Sequence, residues 1–176
     1  MTKGFLRITL PPMSEMKRVL FVCTGNTCRS PLAEGLFLQA IAARGDYEVC
    51  SAGVAATKGT MISRETDAVL KKSGATLAGF ASQPVSSALL ASATHVFAMT
   101  RSHLQILESR FPQYVDKFYL TCEFADHHKQ TPGMDVPDPI GMGKAAYEDV
   151  ANVLKTAIPA IIAYIDETWH PPDEGC

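Results

Sequence analysis

Apolar and polar positions along this chain fall into blocks whose spacing switches between strand and helix. Val19-Leu20-Phe21-Val22 contains no polar position, the pattern of a strand covered on both faces of a parallel sheet. A polar, glycine-containing turn follows, and Ser30-Pro31 opens a helical pattern. Proline suits the first helical turn, and Glu34 falls in the N-terminal region that favours acids. Leu32, Leu36, Phe37, Ala40 and Ile41 mark one helical face, and Gly45-Asp46 ends the helix. Glu48 to Ala52 reads as a second strand stopped by Gly53, with Cys50 as a small core residue.

The later blocks repeat this alternation. Val54 to Met61 is a loop of small residues, and Ser63 to Ser73 is a helix with Ser63 as N-cap and Gly74 as stop. Ser86 or Ser87 starts a short helix through Leu89 and Leu90. His95 to Met99 is a third strand, buried on both faces, and Thr100 to Phe111 is a helix carrying Leu104 and Leu107. Lys117 to Leu120 is a short fourth strand. Ala125 to Gly143 has three prolines, three glycines and little pattern, as expected of a long functional loop. Ala145 to Trp169 is helical, with Pro159 expected to kink or split it. Strands alternating with helices predict a single-domain, three-layer α/β fold of about four parallel strands flanked by helices. Ligands in such sheets bind at the carboxyl ends of the strands.

Composition narrows the function without naming it. The 176 residues suffice for one domain with a proper core. A net charge of −2 gives no electrostatic reason to bind nucleic acid or an anionic membrane. No apolar run reaches the length of a membrane span. The five cysteines, at 23, 28, 50, 122 and 176, are odd in number and fit no structural zinc spacing. Phe5 to Leu10 is too short for a signal-peptide core, and Pro11-Pro12 breaks any regular element. Residues 1–16 are therefore expected to be an extension, disordered or a non-native start, with a docking arm as the alternative. The domain is expected over 17–170 and a tail over 171–176.

The chemistry concentrates in Cys23-Thr24-Gly25-Asn26-Thr27-Cys28-Arg29-Ser30-Pro31. A strand, a tight loop and a helix N-terminus together make an anion site, because backbone N–H groups converge and the helix dipole adds positive charge. Cys23 begins the loop and Arg29 closes it; a helix N-terminus and an arginine both favour thiolate over thiol. Arg29 offers a planar fork for two phosphate oxygens, and Ser30 a hydroxyl for the thiolate. A thiolate below a phosphate in a ring of N–H donors is arranged for attack on phosphorus. The alternative is an inert cysteine at a strand end. Cys28, five positions after Cys23, makes a reversible Cys23–Cys28 disulfide the expected response to oxidation. With a reactive thiolate, a reducing cytoplasm is the expected compartment. His127-His128 lacks a cysteine or carboxylate partner at ligand spacing and reads as solvated loop; no metal or other cofactor is expected.

Val22 to Pro31 resembles the phosphate loop of the low-molecular-weight protein-tyrosine phosphatase family, most closely its bacterial protein-arginine phosphatase branch. The resemblance runs from about Lys17 to Trp169. It implies a cysteine-dependent phosphatase acting on phosphorylated proteins, with Thr24 to Ser30 binding phosphate and catalysis by Cys23, Arg29 and an acid. Of Asp135 and Asp138 in Asp135-Val136-Pro137-Asp138-Pro139, the resemblance selects Asp138, since the family's general acid stands in a late Asp-Pro pair. Asp135 then reads as solvated loop. Tyrosine-specific relatives commonly carry an aromatic residue where Thr57 stands, and eukaryotic ones two tyrosines where Ile140 and Gly141 stand. They tend to hold an aliphatic residue where this chain, like the arginine phosphatase branch, has Thr27. Phosphoarginine is therefore favoured over phosphotyrosine. An arsenate reductase of this fold would need a further redox cysteine pair, and no cysteine lies between Cys50 and Cys122. A phosphopeptide-binding module would lack the nucleophile or the acid. A monomer is expected.

Overall fold

The computed structural model describes residues 15–125 and 134–171. Four strands, β1 (Lys17–Cys23), β2 (Tyr47–Gly53), β3 (His95–Ala98) and β4 (Phe118–Leu120), form a parallel sheet in the order β2-β1-β3-β4. The helices are α1 (Arg29–Ala40), α2 (Arg64–Lys72), α3 (Ser87–Ser92), α4 (Arg101–Arg110) and α5 (Gly143–Thr168). Short 3₁₀ turns occupy Pro112–Lys117 and Thr121–Phe124.

β1 lies between β2 and β3, pairing Val22 with Ala52 on one side and with Ala98 on the other. Its side chains alternate between two cores. Val19, Phe21 and Cys23 join Leu36 and Phe37 of α1, Leu70 of α2 and Leu154 of α5. Leu20 and Val22 join Leu90 of α3 and Leu107 of α4. Helices thus cover both faces, which is why the run Val19 to Val22 has no polar position. Phe21 sits 5.7 Å from both the Phe37 and the Phe97 rings and is fully buried, a burial that stabilises by roughly 1.5–3 kcal/mol. The three-layer α/β arrangement is the one expected.

Several boundaries differ from the sequence pattern. α1 ends at Ala40 rather than at Gly45-Asp46, with Ile41 closing the last turn onto Phe37 O. Ile41 is the last apolar anchor of that face; Arg44 beyond it pairs with Asp46 and Asp166 instead. Glu34 lies past the first turn of α1, and its carboxylate accepts from Ser51 on β2. Cys50 is half-buried rather than a core residue. α5 starts at Gly143, two residues early, and continues through Pro159 unsplit. Pro159 lies on the exposed side, where water can satisfy the carbonyl its ring leaves unpaired. Val150, Leu154, Ile158, Ile161 and Ile165 meanwhile hold the other face in the core. Of the expected extension, residues 1–14 lie outside the described residues, as do 172–176 and His127-His128. Met16 is already buried, at 8% exposure. Among the described residues no helix is long and apolar enough to cross a membrane.

Candidate active site

Cys23 is the last residue of β1, at the carboxyl edge of the sheet. The helix after β1 packs on one face and the helix after β3 on the other, so this edge is the topological switch point where ligands bind. α1 begins at Arg29. Its N-cap, Cys28, makes no side-chain capping bond, and no acid sits in the first turn. The first N–H groups of α1 are therefore available to an anion.

The loop between them is held from three elements. Asn26 takes a left-handed conformation at φ 56°, which costs an L-residue roughly 1–2 kcal/mol. Its amide offsets that cost with three bonds. Nδ2 donates to Ser30 Oγ at 3.0 Å and to Ser51 Oγ at 2.8 Å, and Oδ1 accepts the Gln83 N–H at 2.9 Å. Ser51 passes its own hydrogen to Glu34 Oε2 at 2.6 Å, and burial raises the pKa of the Glu34 carboxyl. Cys23 Sγ accepts the Asn26 N–H at 3.3 Å and lies 2.9 Å from Ser30 Oγ. Ser30 Oγ already accepts from Asn26, so its hydrogen is shared between the sulfur and Ala52 O, 3.4 Å away, with the sulfur the nearer acceptor. Gly53 is required beside this loop: a Cβ there would overlap Thr24 O and press on Asn26 N.

Arg29 is buried to 6% side-chain exposure, and its fork faces the long loop. Nη2 pairs with Asp138 Oδ2 at 2.9 Å and Nη1 donates to Val136 O at 3.3 Å. Asp138 is half-exposed, at 52%. Its loop is pinned to the sheet edge, because Val136 N–H donates to Met99 O at 2.9 Å. Asp135, expected to be merely solvated, is exposed but accepts the Arg101 N–H at 2.7 Å, capping α4. The structure thus brings Cys23, Ser30, Arg29 and Asp138 to one edge of the sheet. Cys28 is buried behind the loop, its Sγ 3.4 Å from Tyr147 Oη. Thr27 is half-buried, and its carbonyl accepts the Ser63 N–H at 3.0 Å. Thr57 and Ile140 are exposed.

Sequence reasoning missed His103. It is buried on α4, with Nε2 2.7 Å from Thr24 Oγ1 and Nδ1 2.9 Å from Thr100 Oγ1. Burial pushes its pKa down to about 4, the Arg29 charge adding to the effect while Asp135 and Asp138 oppose it. Gln83, Ser51 and Glu34 were missed too. Nothing in a single sequence marks them, because they come together only through the fold.

Residues 18–170 match the family model described as low molecular weight phosphotyrosine protein phosphatase. The chain belongs to that family. It is a phosphatase, a hydrolase. The protein-arginine-phosphatase of Geobacillus stearothermophilus is 40% identical over 141 residues, covering 80% of this chain and 90% of that protein. The low molecular weight protein-tyrosine phosphatase A of Mycobacterium tuberculosis is 31% identical over 159 residues, covering 88% and 95%. The crystal structure of the low molecular weight protein tyrosine phosphatase from T. tengcongensis superposes with a TM-score of 0.77 at 41% identity, covering 84% of this chain and 99% of that one. This phosphatase therefore resembles members named for either phosphoamino acid.

Proposed function

We propose that this chain is a protein-arginine phosphatase working through a phosphocysteine on Cys23. The Cys23 sulfur attacks phosphorus while the bond from phosphorus to the guanidino nitrogen breaks, and Asp138 protonates that nitrogen. Asp138, now a carboxylate, takes a proton from water, and the hydroxide attacks the phosphocysteine to release phosphate and the thiolate. The loop N–H groups and the Arg29 fork hold the equatorial oxygens as charge develops. The Arg29–Asp138 contact at 2.9 Å supports the acid's role. A bound dianion takes the fork in place of Asp138 and leaves that carboxyl beside the transferring phosphoryl group.

The observation that carries the arginine reading is Thr27, a hydroxyl in the phosphate loop itself, with no aromatic side chain at Thr57, Ile140 or Gly141 to wall a phenyl slot. A 40% identical relative named a protein-arginine-phosphatase supports it. The experiment compares kcat/KM on matched phosphoarginine and phosphotyrosine peptides. Thr27→Ile replaces a hydroxyl with apolar surface, and such pocket changes are worth about 1–3 kcal/mol. It is expected to lower the phosphoarginine preference by at least about tenfold. An unmoved ratio removes Thr27 as selector. The second reading, phosphotyrosine, is favoured by the 41% identical T. tengcongensis protein, named a tyrosine phosphatase; a wild type that prefers phosphotyrosine establishes it.

The setting we propose is a monomer in the cytoplasm, where a thiolate stays reduced. Peroxide is expected to oxidise Cys23 to a sulfenic acid, peroxide being reduced to water. Cys28 then displaces the sulfenic oxygen as water and forms a Cys23–Cys28 disulfide that thiols reverse. Peptide mapping after mild peroxide checks this; Cys23 sulfinic acid with Cys28 still free would exclude the pair.

A further inference from the structure

His103 joins the two halves of the site through the first turn of α4. Thr100 Oγ1 caps that helix by accepting the His103 backbone N–H at 3.1 Å. Among the described residues its own hydrogen then has one destination, His103 Nδ1 at 2.9 Å. The ring proton therefore sits on Nε2 and points at Thr24 Oγ1, 2.7 Å away. The opposite tautomer would make Thr100 Oγ1 accept twice and leave its own hydroxyl hydrogen without an acceptor among the described residues, in a residue only 8% exposed. The doubly protonated ring would do the same and face the Arg29 cation, with Asp135 and Asp138 offsetting it only in part. In the same turn, the Arg101 N–H holds Asp135. The start of α4 thus touches both the loop that carries Asp138 and the residue next to Cys23.

We infer that His103 is a positioning residue for phosphoryl transfer: it donates Nε2–H to Thr24 Oγ1, fixing the residue next to Cys23 and leaving the Thr24 hydroxyl hydrogen free to donate to the phosphoryl group. Thr24 is exposed at the mouth of the site while His103 behind it is buried, which is the arrangement such a relay needs. The inference rests on the phosphate-loop reading above. In it the hydroxyl supplies a donor beyond the backbone N–H groups, and the imidazole transfers no proton.

A double-mutant cycle on hydrolysis of p-nitrophenyl phosphate tests it. Thr24→Val and His103→Phe are each expected to lower kcat/KM about tenfold, the effect of one hydrogen bond to a charged group. Because both remove the same relay, the combined variant is expected to lose no more than about twofold beyond the worse single one. His103→Gln, whose amide nitrogen can stand in for Nε2, is expected to restore most of the rate. Inorganic phosphate, bound in the absence of turnover, is expected to dissociate more readily from both single variants. Additive losses approaching a hundredfold, or Thr24→Val at the wild-type rate, would overturn the inference. Long-range ¹H–¹⁵N spectra of the wild type decide the matter even where His103→Phe fails to fold. The Nε2–H tautomer is expected from about pH 8 down to about pH 5, and the Nδ1–H tautomer or the cation in that range would overturn it. Failure of the catalytic reading shows differently, as absent turnover in the wild type. The tautomer and the phosphate affinities are read without turnover and still decide the part of His103.

Discussion

Cys23→Ser is expected to reduce turnover to background while phosphate binding survives. The serine hydroxyl is a far weaker nucleophile than a thiolate, and among the described residues no base is hydrogen-bonded to position 23 to compensate. Ser30, the nearest side-chain partner at 2.9 Å, is a hydroxyl. The shape of the loop does not depend on the sulfur. Asn26 is fixed by Ser30, Ser51 and Gln83, and Arg29 by Val136 and Asp138. The anion cradle therefore stays in place when Cys23 changes. The measurement is the hydrolysis rate alongside inorganic phosphate binding by calorimetry. Turnover close to wild type would remove Cys23 as nucleophile, and so would phosphate trapped on another residue of the wild type during turnover. Loss of phosphate binding with a folded chain would mean that the sulfur helps to shape the loop.

What the sequence made legible divides along a physical line. Val19 to Val22 announced the central strand because burial on both faces removes every polar position. Ser63, three residues before Thr66, announced α2, and the Ser63 hydroxyl does accept the Thr66 N–H. Signals of this kind are local, and local chemistry leaves a local pattern. Cys23, Arg29 and Ser30 fall in this class, lying in a strand, turn and helix read as one motif. The misplaced boundaries came from longer-range causes. α1 stops at Ala40, and beyond it Arg44 pairs with Asp166 at the far end of the chain. α5 survives Pro159 because the apolar residues on its other face hold it to the core. The supports of the loop were illegible for the same reason. Gln83, Ser51, Glu34 and His103 each look like an ordinary polar residue, and only the meeting of α1, β2, α4 and the segment before α3 places them around Asn26 and Thr24. Asp135 shows the same limit from the other side: nothing near it in sequence foretold that it would cap α4.

Asp138→Ala is expected to lower kcat by about 10²–10⁴-fold for poor leaving groups and much less for good ones, the usual contribution of a general acid. The half-exposed carboxylate lies 2.9 Å from the buried Arg29 fork, and the Asp138 loop is fastened to the sheet by Val136. Two effects then separate. Removing the carboxyl removes the proton that a poor leaving group needs. It also leaves the Arg29 cation without its carboxylate partner, so a phosphate no longer has to displace Asp138 to reach the fork. Inorganic phosphate is therefore expected to inhibit Asp138→Ala more strongly than wild type, even as turnover falls. Asp138→Asn divides the two further, since its amide oxygen can still accept from Arg29 but the group cannot supply an acidic proton. It is expected to share the loss of turnover on poor leaving groups and to show less of the tighter phosphate binding. The check is kcat across aryl phosphates of graded leaving-group acidity, with the phosphate inhibition constant measured on the same samples. An equal loss for all leaving groups, with phosphate inhibition unchanged, would show that Asp138 neither donates the proton nor competes for Arg29, and the acid would have to be sought elsewhere on the loop.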